Sequence, residues 1–212
     1  MAVFNRVILM VMMFFIIMGI QAQKMQIIIA DYENKPNTDG WWKDNANVKF
    51  SFDDNERNQV NERSKSCLYV RWDSIPHNKP FTWFTDLKAD TFAVAGMEEK
   101  WNAFKENTWL SFWCKAGTGD TIMLHYLVLS KGHKSKWGAV DMVPLKFKEW
   151  TFVKVRFADL QYENWGAVKA DFDLKNDVRC FEVGLRLSST SPKGFVDAWF
   201  DNLKLTNYEP FE

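Results

Sequence analysis

The chain has 212 residues, and its 27 basic and 27 acidic side chains give a formal net charge of zero. A nucleic-acid partner is therefore not expected, because neutralising phosphates requires a basic excess or stripe that this sequence lacks. The three cysteines, Cys67, Cys114 and Cys180, are far apart and show no CxxC spacing, which argues against a zinc site. In an exported protein one pair of them can form a disulfide, and the sequence leaves open which pair, if any.

The first 22 residues have the layout of a cleavable export signal. Arg6 precedes an apolar run from Val7 to Ile20, and the small residue Ala22 follows at a suitable cleavage point. A retained membrane anchor is the alternative, but the run is shorter than the ~20 residues that span a bilayer. We therefore expect cleavage after Ala22, a periplasmic, cell-surface or secreted protein without a stable membrane span, and one domain over residues 23–212.

Short apolar and aromatic runs follow one another from Met25 onward, separated by clusters of Gly, Asn, Asp, Lys and Pro. This pattern is typical of strands joined by turns. Residues 95–107 differ, because Met97, Trp101 and Phe104 recur at helical spacing, and they predict at most a short helix. The predicted strands are Gln26–Ala30, Val48–Phe52, Cys67–Trp72, Phe81–Leu87, Thr108–Ala116, Thr121–Leu129, Trp150–Leu160, Cys180–Leu187 and Phe195–Leu205.

Alternation within these runs separates a core face from an outer face. In residues 108–116, Leu110, Phe112 and Cys114 share one face, while Trp109 and Trp113 lie on the other. Many strands without intervening helices predict an all-β fold, an antiparallel β-sandwich of two packed sheets. All 11 tryptophans follow residue 22, and they exceed what such a core readily absorbs, so some are expected at the surface for a reason.

Several stretches resemble one known pattern. Residues 109–117 (WLSFWCKAG) resemble an LSFWVKG strand, and residues 149–160 (EWTFVKVRFADL) resemble a W-x-x-V-x-I-P-x-S-D-F strand in which Arg156 replaces the usual proline. Residues 181–184 (FEVG) and 200–205 (FDNLKL) resemble the two closing strands of the same pattern. Near the start, residues 30–33 and 54–66 resemble its D-F-E strand and its DNP…N-x-S loop. In this order, the stretches resemble jelly-roll carbohydrate-binding modules and related galactose-binding-like domains, which implies a jelly-roll β-sandwich.

The resemblance implies a structural calcium ion. In these modules an acidic residue of the first strand, the N-x-S loop and the aspartate of the last strand commonly hold it. The matching positions are Glu33 and Asp201, with Asn61 and Ser64 as candidate backbone donors. Oxygen ligands suit a hard cation, although two side-chain carboxylates are few. The alternative is that Glu33 and Asp201 are solvated or bonded to nearby backbone amides.

The resemblance also implies a sugar site, because flat aromatic side chains cover the apolar face of a pyranose while polar groups at the rim fix its hydroxyls. Three tryptophans, Trp83, Trp137 and Trp165, are loop candidates, and for each tryptophan the alternative is a core position. Trp41, Trp42, Trp72, Trp150 and Trp199 are expected to be structural. The expected ligand face carries Trp109, Trp113, Tyr69, Arg71, Lys154, Arg156, Glu182 and Arg186.

The expected function is therefore non-catalytic binding of a polysaccharide or oligosaccharide, alone or beside separately encoded glycan-degrading enzymes. A glycosidase needs two converging carboxyl groups, and Glu182 is the one carboxylate within a strand on the expected ligand face. A polysaccharide lyase is the enzymatic alternative, since His125, Tyr126, Lys154 and Arg156 are the residue types that such a reaction requires. A structural or adhesion domain that binds a protein partner is the third class.

Overall fold

The structure is a computed structural model. It describes residues 23–35, 37–39, 41–43, 47–55, 59–61, 64–74, 81–89, 102–105, 107–117, 122–130, 136–138, 141–163, 181–189 and 194–212. It describes the backbone alone for Trp42, 81–89, 126–130, Lys136, Phe181 and Glu182. The predicted export signal, Cys180 and Trp165 lie outside these ranges. Within the described ranges, no helix has the length and apolar character needed to cross a membrane.

The described residues form mainly β-strands. In chain order these are β1 (Gln26–Ala30), β2 (Trp42–Lys43), β3 (Val48–Asp53), β4 (Cys67–Asp73), β5 (Phe81–Ala89), β6 (Trp109–Ala116), β7 (Ile122–Ser130), β8 (Lys136–Gly138), β9 (Val143–Leu145), β10 (Thr151–Arg156), β11 (Gln161–Tyr162), β12 (Phe181–Ser189) and β13 (Phe195–Thr206).

Two sheets contain these strands, and every named strand pair is antiparallel. The first sheet has the order β10-β6-β13-β4-β3, with β1 paired to the end of β13. The second sheet has the order β11-β8-β7-β12-β5-β2, with β9 paired to β7. The long strand β13 is central to the first sheet, because it pairs with β4 and β1 on one side and with β6 on the other. The predicted all-β sandwich of antiparallel sheets is confirmed.

The core lies between the sheets and follows the alternation of the sequence. Leu110, Phe112 and Cys114 of β6 are at most 1% exposed, and they pack in one cluster with Leu185 and Leu187 of β12. Burying a large apolar side chain of this kind stabilises the fold by about 1.5–3 kcal/mol relative to leaving it exposed. Alternate residues of the same strands therefore face away from the core, and these outward residues are available for a site.

The predicted strands are confirmed, with ends that differ by one or two residues except after β10. There, strand pairing ends at Arg156, and Phe157–Asp159 forms a 3-10 turn that still buries Phe157. The short strands β2, β8, β9 and β11 were not predicted, because two or three residues are too few to show alternation. Of the predicted short helix, residues 102–104 are helical, while residues 95–101 lie outside the described ranges.

Cys67 and Cys114 are buried thiols rather than the halves of a disulfide. Strand β13 separates β4 from β6, so the two residues are not neighbours in the sheet. Burial raises the pKa of Cys67 to about 12, and burial also raises the pKa of Cys114. Both thiols are therefore expected to be poor nucleophiles in the folded protein.

Candidate functional site

The outward face of the first sheet carries an aromatic and polar surface where β4 and β13 pair. The register places Trp199 opposite Tyr69 and Asp197 opposite Arg71. Phe195 lies two residues before Asp197 on the same face, because Val196 and Ala198 point into the core. We call these five residues, Tyr69, Arg71, Phe195, Asp197 and Trp199, the β4–β13 platform.

Trp199 is held in place at both ends of its indole ring. Its Nε1–H donates to Oδ2 of Asp53 at 2.7 Å. Its six-membered ring lies above Gly117, where a Cβ atom would stand only 2.2 Å from Cζ3 and 2.5 Å from Cη2. The Tyr69 ring lies alongside, with 4.9 Å between the ring centroids. The indole is therefore fixed over the residue that follows β6, which provides space for it only because residue 117 is glycine.

Hydrogen bonds order the polar residues of the platform. Tyr69 Oη donates to Oδ2 of Asp197 at 2.9 Å, and Arg71 Nε donates to Oδ1 of Asp73 at 2.7 Å. The Arg71 guanidinium lies 3.9 Å from the centre of the Phe195 ring. Burial, followed by the bond to Asp197, raises the pKa of Tyr69 to about 12, and burial also raises the pKa of Asp197. The platform is thus an ordered set of contacts rather than a group of independent surface side chains.

Lys115 joins the platform to Trp150. Its ammonium lies 5.0 Å from the centre of the Trp199 ring and 4.7 Å from the centre of the Trp150 ring, and the residue is only 3% exposed. Burial lowers the pKa of Lys115. Trp150 is itself oriented by a bond from its Nε1–H to the backbone oxygen of Gln59 at 3.0 Å. Two indoles flanking one ammonium form a cation–π arrangement that further restrains the position of Trp199.

Most of the predicted ligand residues do not converge on one site. Tyr69 and Arg71 belong to the platform, but Trp109, Lys154 and Arg156 lie at the opposite end of the same sheet face. Lys115 lies six positions after Trp109 in β6, which is about 20 Å along a strand. Trp113 lies between these two regions and packs on Phe152, with 5.0 Å between ring centroids, while Lys154 forms an ion pair with Glu209 of the C-terminal segment.

The other predicted ligand residues that the structure describes belong to the second sheet, so the residues expected on one ligand face are divided between two sheets. Glu182 and Arg186 are on β12, and Trp83 is on β5 opposite Arg186 rather than in a loop. The outer surfaces of two packed sheets point in opposite directions, so these residues cannot share a ligand with Tyr69. The side chains of Trp83 and Glu182 lie outside the described atoms. Trp137 was expected in a loop, but it lies in β8, packs against the core and contacts Tyr162.

Trp199 is a platform residue that was not among the predicted ligand residues, because it was expected to be structural, as was Trp150. The sequence did indicate that Trp199 faces outward. Alternation along residues 195–205 places it on the face of Phe195 and Asp197, while Val196, Ala198 and Phe200 lie on the other face. Lys115 and Asp53 gave no such signal, since their contacts with Trp199 depend on which strands are neighbours.

The second sheet carries a smaller polar group on its outer face. The register places His125 of β7 opposite Arg186 of β12. Nε2 of His125 lies 2.8 Å from Oε1 of Glu163, and His125 is 7% exposed. The residues considered for a lyase are therefore separated, because His125 and Tyr126 are in the second sheet and Lys154 and Arg156 are in the first. Those four residues cannot act together on one substrate.

The residues expected to hold calcium lie close to one another. Ser64 Oγ donates to Oδ2 of Asp201 at 2.6 Å, and the backbone N–H of Ser64 donates to the backbone oxygen of Asn61 at 3.1 Å. Glu33 Oε1 accepts from the backbone N–H of Lys65 at 2.8 Å. Burial raises the pKa of Asp201 to about 6, and the negative charges of Glu33 and Asp31 act in the same direction.

This oxygen-rich group fits a hard cation in its chemistry, because a positive ion would offset the cost of burying the Asp201 carboxylate. Among the described side chains, however, no group of three or more His, Cys, Asp or Glu residues is arranged to hold a metal ion. An ion at this position would therefore depend on hydroxyl and backbone oxygens as well as on the two carboxylates.

Solved structures with the same fold include carbohydrate-binding modules. The family 11 module of a cellulosomal cellulase of Clostridium thermocellum matches with a TM-score of 0.51 at 13% identity, over 89% of this chain and 96% of that one. A family 30 module matches with a TM-score of 0.52 at 13% identity, over 89% and 90%. An exo-beta-agarase matches with a TM-score of 0.55 at 13% identity, over 86% of this chain but only 25% of the enzyme. No protein-family model matches the sequence. No curated protein matches it either. At this level of identity the likeness establishes the β-sandwich fold and leaves the ligand to be argued from the site.

Proposed function

We propose that the protein is a non-catalytic glycan-binding module whose sugar contact is the β4–β13 platform. The observation that carries this proposal is the fixed orientation of Trp199, whose indole is bonded to Asp53 at one end and lies over Gly117 at the other. A partly exposed indole that is already held in position loses little conformational entropy when a sugar ring stacks on it.

The chemistry around Trp199 suits a saccharide. An indole offers a flat apolar surface for the C–H groups of a pyranose, and neighbouring polar groups can bond the hydroxyls at the edge of that ring. Tyr69 provides such a group within the platform, and its hydroxyl is oriented by a 2.9 Å bond to the buried carboxylate of Asp197. The carboxylates of Asp53 and Asp197 each orient an aromatic side chain, Trp199 and Tyr69 respectively. This arrangement differs from the converging acid and base of a glycosidase.

The fold agrees with this proposal, because the carbohydrate-binding modules of families 11 and 30 are built on the same sandwich. We further propose that the mature protein acts outside the cytoplasm, since polysaccharides of the cell exterior are its expected ligands. A calcium ion at Glu33, Asn61, Ser64 and Asp201 would connect the two ends of the chain and stabilise the module without taking part in binding.

Affinity electrophoresis in gels that contain soluble polysaccharides tests the proposal. Wild-type protein should be retarded by at least one polysaccharide, and Trp199→Ala should remove the retardation. Trp109→Ala is the matched control, because Trp109 is a partly exposed tryptophan on the same sheet face about 20 Å away along β6. Trp199→Phe is a control for a folding defect, because it keeps an aromatic ring at this position. It should bind more weakly than the wild-type protein and more strongly than the alanine variant. Equal retardation of wild type and a folded Trp199→Ala variant would refute the proposal.

A further inference from the structure

The charges around the platform are compensated within the protein. Arg71 and Lys49 both pair with Asp73, at 2.7 and 2.8 Å. The ammonium of Lys115 is covered by the two indoles. The carboxylates of Asp53 and Asp197 are engaged as well, because Asp53 accepts from the indole N–H of Trp199 and the buried Asp197 accepts from Tyr69.

An anionic sugar would therefore gain little at this surface. Among the described side chains, a carboxylate or sulfate stacked on Trp199 would find no uncompensated cation, because the Arg71 guanidinium is held by Asp73 and the Lys115 ammonium is buried against two indoles. A sugar hydroxyl can donate to the oxygen of Tyr69 and accept from the guanidinium of Arg71, because it is both a donor and an acceptor. The platform therefore favours an uncharged ligand over an anionic one, because its charges are already compensated within the protein.

The aromatic rings of the platform are also arranged along the direction of strand β13. Phe195 and Trp199 face the same side of β13 and are four residues apart, which is about 13 Å along a strand. Phe195 is 37% exposed, and Asp197 lies between the two aromatic rings on the same face. An extended chain lying along β13 would meet one aromatic ring and then the other, with the nearly buried Asp197 between them.

We infer that the platform takes an uncharged linear glycan that lies along β13 and contacts Trp199 and Phe195 with different sugars of one chain. This inference rests on the proposed function and adds the ligand's charge, its orientation and the need for more than one sugar. It predicts binding within chains, since both contacts lie on the open face of the sheet, and an affinity that increases with chain length.

The first test compares polysaccharides of different charge by affinity electrophoresis. Mixed-linkage β-glucan, xyloglucan and galactomannan serve as uncharged probes, and alginate, polygalacturonate and carrageenan serve as anionic ones. At least one uncharged polymer should retard the wild-type protein, and none of the anionic polymers should. Retardation by an anionic polymer that disappears in Trp199→Ala would overturn the inference and leave the proposed function standing. Retardation that persists in Trp199→Ala, or none with any polymer, would overturn the proposed function and this inference with it.

The second test titrates oligosaccharides of increasing length, cut from the polymer that binds, by isothermal calorimetry. Affinity should rise roughly tenfold once the ligand reaches both rings, which corresponds to one additional apolar contact. Phe195→Ala should abolish this gain while short oligosaccharides bind as they do to wild type. Phe211→Ala is the matched control, because Phe211 is 75% exposed and lies in the C-terminal segment outside the platform. A length gain that is unchanged in Phe195→Ala would overturn the inference.

Discussion

Replacing Gly117 with alanine should disable the platform without removing any atom from it. The new Cβ would stand 2.2 Å from Cζ3 of Trp199 and 2.4 Å from Oδ1 of Asp197, far inside van der Waals contact. Relief requires the indole to move, and this movement would lengthen or break its bond to Asp53. Overpacking of this kind typically costs about 1–3 kcal/mol.

The expected result is a less stable protein that binds glycan poorly. A loss of about 2 kcal/mol would lower the melting temperature by roughly 4–8 °C for a domain of this size. The affinity for a bound polysaccharide should fall by about tenfold or more, because a displaced indole no longer offers its fixed surface. Thermal denaturation followed by circular dichroism measures the first effect, and calorimetric titration measures the second.

A double-mutant cycle shows whether Trp199 is the cause. In a Trp199→Ala background the obstructing ring is absent and the contact with Oδ1 of Asp197 remains, so Gly117→Ala should cost less than it does in the wild-type background. The same cost in both backgrounds would refute the reasoning. An unchanged stability and affinity in the single variant would also refute it.

Three further predictions concern the contacts around the platform and the chain ends. Asp53→Ala should lower stability by about 1.5–3 kcal/mol in urea denaturation through loss of the charged bond to Trp199, and Asp53→Asn, which keeps an acceptor, should lose less. The raised pKa of Tyr69 contributes stability that is complete below pH 10 and is lost as the pH rises towards 12, so alkaline unfolding of Tyr69→Phe should lack this component. Calcium should raise the melting temperature of the chelator-treated protein, and Glu33→Gln or Asp201→Asn should reduce that rise; no shift in the wild-type protein would remove the metal proposal.

The alternation of apolar and polar residues in the sequence was sufficient to predict the strands and to separate inward from outward side chains. It placed Leu110 and Phe112 in the core and Tyr69 on the surface, because a period of two follows directly from backbone geometry. The same rule contains no information about which strands are neighbours. That choice depends on pairing across long stretches of chain, such as the contact of β13 with both β4 and β6.

The errors in the predicted site follow from this limit. Arg186 and Tyr69 were grouped because both face outward, but they belong to different sheets. The contacts of Trp199 with Asp53 and Gly117 were not predicted, because those two residues are remote from it in sequence. Trp137 was assigned to a loop because strand β8 has only three residues.

The indole N–H signal of Trp199 in a two-dimensional NMR spectrum offers the most direct test of the central claim. The signal can be assigned by its absence in Trp199→Phe and then followed while an oligosaccharide is added. The platform predicts a large, saturable shift of this signal, with smaller changes at Trp109 and Trp113. A glycan that shifts the signals of other tryptophans and leaves that of Trp199 in place would show that sugars bind elsewhere on the protein.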